Sequence, residues 1–185
     1  AAGSSTTIVT NALVQVGADA HLEQTGSRNS AGVYNLDAWN KVTATDKVKM
    51  SSGGAVSAAS AKSSILADTN NAAVRVGIDA EMSSVGDMAL GARSIANLNT
   101  QAAVDVYGLV GVAPAGQSVS RFQAANSIDI GAGATLESLR DIKLGAGTST
   151  ADAVSDIKAT ARTDVYNNTA IPVNRDPIAD AIIGT

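Results

Sequence analysis

The sequence predicts an all-β chain wound as a β-solenoid, and three observations carry that prediction. Stretches of the chain repeat one another at offsets between 54 and 60. Inside each copy the apolar residues fall on alternate positions, which is the period of a strand and not of a helix. The side chains available to fill the interior are small: 45% of residues are hydrophobic but only 3% are aromatic, and Ala, Val, Ile and Leu supply the rest. Such side chains suit an interior in which facing backbones lie close together.

Taken in chain order, the first copy lies near 11–27 and contains Leu13-Val14-Gln15-Val16-Gly17-Ala18-Asp19-Ala20-His21-Leu22. The second, near 71–93, contains Ala73-Val74-Arg75-Val76-Gly77-Ile78-Asp79-Ala80-Glu81-Met82, so that Gly17 recurs as Gly77, an offset of 60. Alternation here places Val74, Val76 and Ile78 on the interior face and Arg75 and Asp79 outside. The third, near 126–147, contains Asp129-Ile130-Gly131-Ala132-Gly133-Ala134-Thr135-Leu136, where Gly131 answers to Gly77 at an offset of 54. Gly86-Asp87-Met88-Ala89-Leu90-Gly91-Ala92 also matches Arg140-Asp141-Ile142-Lys143-Leu144-Gly145-Ala146. A second pair of matching segments, Val104-Asp105-Val106-Tyr107 and Thr163-Asp164-Val165-Tyr166, precedes Pro114 and Pro172 respectively, at an offset of 59. Residues 35–48 fit the pattern poorly and read as an irregular insert.

Gly86, Gly91, Asn126, Gly131, Gly133, Gly145 and Gly147 read as turns between strands of about three to six residues. A module of roughly 55–60 residues then divides into about three coils of roughly 20 residues. The 185 residues would give about nine coils and a rod on the order of 40 Å long. The general preference for right-handed parallel crossovers makes the expected coil right-handed. Residues 1–185 read as one solenoid segment, expected to be a fragment of a longer chain. The start at Ala1-Ala2-Gly3-Ser4-Ser5 has no features of an intact signal peptide.

The Asn126-Ser127-Ile128-Asp129-Ile130-Gly131-Ala132-Gly133-Ala134 segment, followed by Arg140-Asp141-Ile142-Lys143-Leu144-Gly145-Ala146-Gly147, resembles the repeats of filamentous-haemagglutinin-like bacterial surface adhesins. That resemblance implies a right-handed parallel β-helix in a structural, adhesive protein exported to the cell surface or beyond. Continuation or self-association end to end is the expected partnership, and a glycan or host-surface ligand is a further candidate.

Composition excludes other classes. The net charge is −4, with 13 basic and 17 acidic residues interspersed, so a nucleic-acid footprint is missing. There is no cysteine for disulfide, thiolate or Cys-metal chemistry, and no apolar run long enough for a membrane span. The only histidine, His21, occupies the place of Glu81 and Thr135 in the other copies and reads as a surface residue. Glu23, Glu81 and Glu137 recur near equivalent module positions and read as solvated surface. Asp19, Asp79, Asp87 and Asp141 are calcium candidates, hard oxygen donors recurring between coils, although an Asp at a turn more simply bonds its own backbone. No other cofactor is expected. Trp39, the single Trp, is a candidate binding anchor, a carbohydrate-stacking platform, or else a plug over the coil interior. The alternatives are a polysaccharide-degrading enzyme on a β-helix, for which Asp37 and Asp46 are the candidates, or a viral or phage fibre segment.

Overall fold

The computed structural model describes residues 1–27, 32–113 and 116–184. Pro114 and Thr185 lie outside the described residues. Every named element is a strand: β1 (Ala2–Val16), β2 (His21–Gln24), β3 (Val33–Ala58), β4 (Ala61–Val76), β5 (Glu81–Ser84), β6 (Asp87–Ala113), β7 (Gln117–Ile130), β8 (Thr135–Ser138), β9 (Ile142–Ala146), β10 (Asp156–Asn174) and β11 (Ile178–Gly184). They form three sheets, ordered β1-β4-β7-β11, β2-β5-β8 and β10-β6-β3, with β9 also on β6. All strand pairings are parallel, the arrangement of a right-handed parallel β-helix. Among the described residues, no helix is long and apolar enough to cross a membrane.

The coil is much longer than expected. Val16 stacks on Val76, and Val76 on Ile130, at offsets of 60 and 54. The repeated module is therefore one whole coil and not three. The described chain makes three coils and starts a fourth with β11, a stack of rungs on the order of 15 Å high. The expected division fails because Gly and Asn do not all mark turns. Gly91, Asn126 and Gly145 lie inside strands β6, β7 and β9. Nor is there an irregular insert at 35–48. Those residues are the middle of β3, in unbroken register with residues 89–102 of β6. Their Lys, Thr and Asp residues hide the alternation, because only the inward half of a strand needs to be apolar.

The true break lies later. Ala146 pairs with Ala92 but Asp156 pairs with Ile95, so the offset rises from 54 to 61 across residues 147–155. This insertion forms a small closed loop outside the coil. Ser149 N–H donates to the Ala153 carbonyl at 2.8 Å, Ser155 N–H to the Gly147 carbonyl at 2.8 Å, and the Ser149 hydroxyl accepts from Ala153 N–H.

The two large sheets face each other across a thin core. Val42, Ala96 and Leu98 from β3 and β6 meet Ile65, Ala67 and Phe122 from β4 and β7. Val74 and Val76 are buried as expected, but Ile78 is 57% exposed. The period-two rule stops at Gly77, where the chain enters a tight corner. Asp79 there has φ 54°, as has Asp19 one coil below, and Gly133 above has φ 73°. The corner is stacked glycine on glycine. A Cβ on Gly77 would lie 2.6 Å from the Gly17 carbonyl oxygen, and one on Gly131 2.8 Å from that of Gly77.

The interior is not purely apolar. Asn40 donates to the Asn71 carbonyl across the two sheets, Ser94 to Asn126 Oδ1 at 2.9 Å, and Ser118 to Thr100 at 2.7 Å. One buried asparagine repairs a defect. The β4/β7 register shifts between Ala67 and Asn70, leaving a bulge in the middle coil. Asn70, 1% exposed, donates to the carbonyls of Ala67 (2.6 Å) and Gln123 (2.9 Å) and accepts from Thr10 at 2.8 Å. Outside the bulge, Asp68 is clamped by Arg121.

Two substitutions test this stacking. Gly54 and Gly108 lie in register where β3 and β6 bend, with φ 152° and 141°, and a Cβ on Gly108 would overlap the Gly54 carbonyl oxygen. Gly108→Ala is expected to lower stability by about 3 kcal/mol or more in urea unfolding. Gly53→Ala, whose Cβ would make only ordinary contact with Tyr107, should stay within about 0.5 kcal/mol. Asn70→Ala leaves three hydrogen-bonding groups without their partner and should cost about 2–4 kcal/mol by the same assay.

Candidate binding surface on the outer face of the long sheet

Strand parity decides which side chains of β3, β6 and β10 reach solvent. On β3, odd-numbered residues from 35 to 51 point outward and even-numbered ones inward. Asp37 and Trp39 are therefore outside. Asp46 is inside, where it accepts from the Ser63 hydroxyl at 2.8 Å. Asp37 and Asp46 lie on opposite faces of one strand and cannot act on one substrate. The paired-carboxylate geometry of a glycosidase is thus not available to them.

Trp39 is not a plug. It stands on the outer face, 50% exposed, with the Arg93 guanidinium 5.2 Å from its ring centroid. Arg93 is its register partner on β6, and at that distance a cation–π contact holds the two together. Next to them, Gly91 is the register partner of Asp37. The insertion at 147–155 docks there. A Cβ on Gly91 would lie 2.6 Å from Thr150 N and 2.9 Å from Asp37 Oδ1, so only glycine lets the loop reach the sheet. Burial under this loop pushes the Asp37 carboxyl above its ordinary range, against the opposing pull of Arg93 and of a hydrogen bond from Thr150 N–H. Asp37 Oδ1 and Arg93 Nε are both buried without a hydrogen-bond partner among the described residues.

Most of the remaining outward residues of this sheet are polar, although Ile95 and Ala103 of β6 also face out, in register with Lys41 and Lys49. Lys49 pairs with Asp105 at 2.9 Å, Arg162 with Asp164 at 2.9 Å and Lys158 with Asp156 at 3.4 Å. Lys41 and Lys47 are exposed and have no ion-pair partner among the described residues. Tyr107 and Tyr166, both exposed, lie at the far end with ring centroids 5.9 Å apart. The two tyrosines are not register partners: Tyr166 stacks on Asp105, at an offset of 61 and not the 59 of the sequence match. The slip of two positions preserves parity, so both rings stay outside.

The other candidates have local roles. Asp19 and Asp79 occupy the left-handed corner position, the turn role that a short polar side chain fills readily. Asp87 pairs with Arg140 Nε and accepts from Asp141 N–H, each at 3.3 Å. Among the described residues, no group of three or more His, Asp or Glu is placed to hold a metal ion. His21, exposed, contacts Glu81 at 2.9 Å on the outer face of the β2-β5-β8 sheet. In register, Glu23 stacks on Ser83 and Glu137, while Glu81 belongs to the row of His21 and Thr135. These side chains line a shallow, open groove of 360 Å³.

The chain matches no protein-family model, no curated protein and no solved structure.

Asp37→Asn tests the buried junction. The folded-state value of Asp37 lies above the unfolded one, so the folded protein holds that proton more tightly, and stability is lost as pH rises through the interval between them. The amide keeps an acceptor for Thr150 N–H and carries no charge. The variant is therefore expected to melt at a higher temperature than the parent at pH 7, with the difference shrinking as pH falls through the ordinary carboxylate range. Thermal melts at pH 7, 5 and 3.5 read this directly.

Proposed function

We propose that this chain is a non-catalytic scaffold segment of an extracellular or cell-surface filament or adhesin, which extends by stacking end to end on further coils or on other copies. One observation carries this reading: the inward side chains that are at most 1% exposed lie where coils flank them on both sides, and inward positions of the end strands are mostly more open. On β4 in the middle coil, Ile65, Ala72 and Val74 are at most 1% exposed. Their counterparts on β1 are more open: Thr6 is exposed, and Ala12 and Val14 are only half-buried. Ile183 of β11 points inward above the fully buried Phe122, yet is itself 51% exposed. The strand edges of β1 and β3 on one side, and of β10 and β11 on the other, present unpaired backbone groups along the same two faces. Uncovered parallel edges of this length are templates for further strands.

The resemblance of residues 126–147 to haemagglutinin-like adhesin repeats supports an adhesive role, and a repeating parallel fold is the architecture it implies. The surface location follows from the same resemblance. No constellation of acid, base and nucleophile on the described residues favours an enzyme.

The reading is tested by light scattering and negative-stain microscopy of the 185-residue chain over a concentration series. Elongated particles that lengthen with concentration are expected. Val14→Glu and Ile183→Glu, each charging one open face, should leave the β-sheet circular dichroism unchanged and abolish elongation. A parent chain that stays monomeric at high concentration would overturn the proposal.

A further inference from the structure

All three exposed aromatic residues, Trp39, Tyr107 and Tyr166, lie on the outer face of the β10-β6-β3 sheet. The other two aromatics point inward: Phe122 is fully buried and Tyr34 packs against the core. The outer face of the β1-β4-β7-β11 sheet has none. Charge is divided in the same way. Between positions 37–51, 91–105 and 156–164, the outward basic residues are Lys41, Lys47, Lys49, Arg93, Lys158 and Arg162. The outward acids there are Asp37, Asp105, Asp156 and Asp164, so the strip carries +2 in a chain whose total is −4, and the remainder carries −6. Three of these bases are consumed in ion pairs with acids of the strip. Among the described residues Lys41 and Lys47 are left free, and Arg93 lies against Trp39.

Between the aromatic ends the surface carries Thr43, Thr45, Asn97, Asn99 and Thr160, neutral hydrogen-bonding groups on neighbouring rungs, together with the apolar Ile95 and Ala103. From Trp39 to Ser51 the strip runs about 40 Å at the rise of a β-strand. The Thr and Asn rows are what neighbouring rungs favour, but the exposed rings and unpaired ammonium groups are not needed for folding.

We propose that this strip binds an extended, carboxylate-bearing polysaccharide. The proposal rests on the scaffold reading above and names its ligand. The apolar face of a sugar ring stacks on an exposed indole such as Trp39, hydroxyls bond to the amide and threonine ladder, and carboxylates meet Lys41, Lys47 and the Arg93 guanidinium. An extended polymer fits because the face is long and open, without an enclosing pocket. The free lysines favour a charged polymer over a neutral one.

The test titrates the intact chain with polygalacturonate and, separately, with a neutral β-1,4-glucan of similar length, following Trp39 fluorescence and calorimetry. Polygalacturonate is expected to perturb the fluorescence and to bind more weakly as salt rises, as a polyanion that releases counterions does. Lys41→Gln/Lys47→Gln should weaken binding by about tenfold and flatten the salt dependence. Trp39→Ala, followed by calorimetry, should weaken it by a similar factor, and Arg75→Gln on the opposite sheet should leave it unchanged. Circular dichroism melts of each variant guard against misfolding. Equal affinity of the lysine pair variant and the parent, preference for the neutral glucan, or no binding to polygalacturonate would overturn the proposal. So would a role of Lys41 and Lys47 in self-association alone, seen as loss of elongation without loss of glycan binding. Failure of the glycan titration with elongation intact refutes this strip and leaves the scaffold; failure of elongation alone does the reverse.

Discussion

Everything in this molecule is subordinate to one constraint: each residue must fit on top of its own equivalent one coil away. The parallel hydrogen-bond ladders bring successive coils to about 4.8 Å, and a lateral slip of one residue would turn every inward side chain outward. Positions where the backbone turns sharply are the least forgiving. Gly17, Gly77 and Gly131 stack because a side chain on an upper one would strike the carbonyl below. Above Asp19 and Asp79, the third coil has Gly133 in the same left-handed conformation, where a Cβ would overlap the Asp79 carboxylate. Two aspartates in succession are accommodated there, and a third coil is closed by the residue with no side chain.

The same constraint explains where the coils are allowed to differ. Where coil lengths differ, the ladder resumes in phase on the far side of the difference. Between Gln24 and Val33 the first coil is longer than the second between Ser84 and Asp87, and the offset falls from 60 to 54. Residues 147–155 raise it to 61 in the third coil. A single-residue excess cannot be looped out so cheaply. It becomes the bulge at Ala67–Asn70, whose freed carbonyls are taken up by the Asn70 amide.

How much of this is legible in the sequence follows from which positions carry the constraint. The repeats at offsets of 60 and 54 are legible because their apolar and glycine positions are the stacked ones, and their register is reproduced position for position. Coil length is not, since a strand of 26 residues such as β3 carries no internal mark distinguishing it from several short ones. Its Gly53-Gly54 pair marks a real bend, but Gly91 marks a docking loop, and composition alone does not separate the two. Ile78 reads as inward because alternation says nothing about where a strand stops. The opposite parity of Asp37 and Asp46 is open to direct reading, since an odd spacing on one strand separates the faces. The Asp37, Trp39 and Arg93 cluster is only half legible. Trp39 and Arg93 stand at an offset of 54, that of the later copies. The first copy aligns with the second at 60, and the insertion between Gln24 and Val33 conceals the change.

The outer face is where this architecture has freedom to acquire chemistry. Inward positions answer to packing and corner positions to backbone clearance, but an outward side chain on a parallel sheet answers only to its neighbours on adjacent rungs. Those neighbours favour rows of compatible polar groups, which is what the Thr, Asn and ion-paired residues of the β10-β6-β3 sheet supply. Groups that leave such rows unsatisfied, an indole half in water beside a guanidinium or two lysines in no ion pair among the described residues, stabilise the coil little. Stacking then changes what they are worth. Copies joined end to end would present the same strip repeatedly along one side of a rigid rod, so that a polymer held by one copy is already near the next. Weak contacts become firm by effective concentration and not by any single deep site. In the proposed filament, the affinity that a pocket would supply would come instead from repetition of a shallow open face.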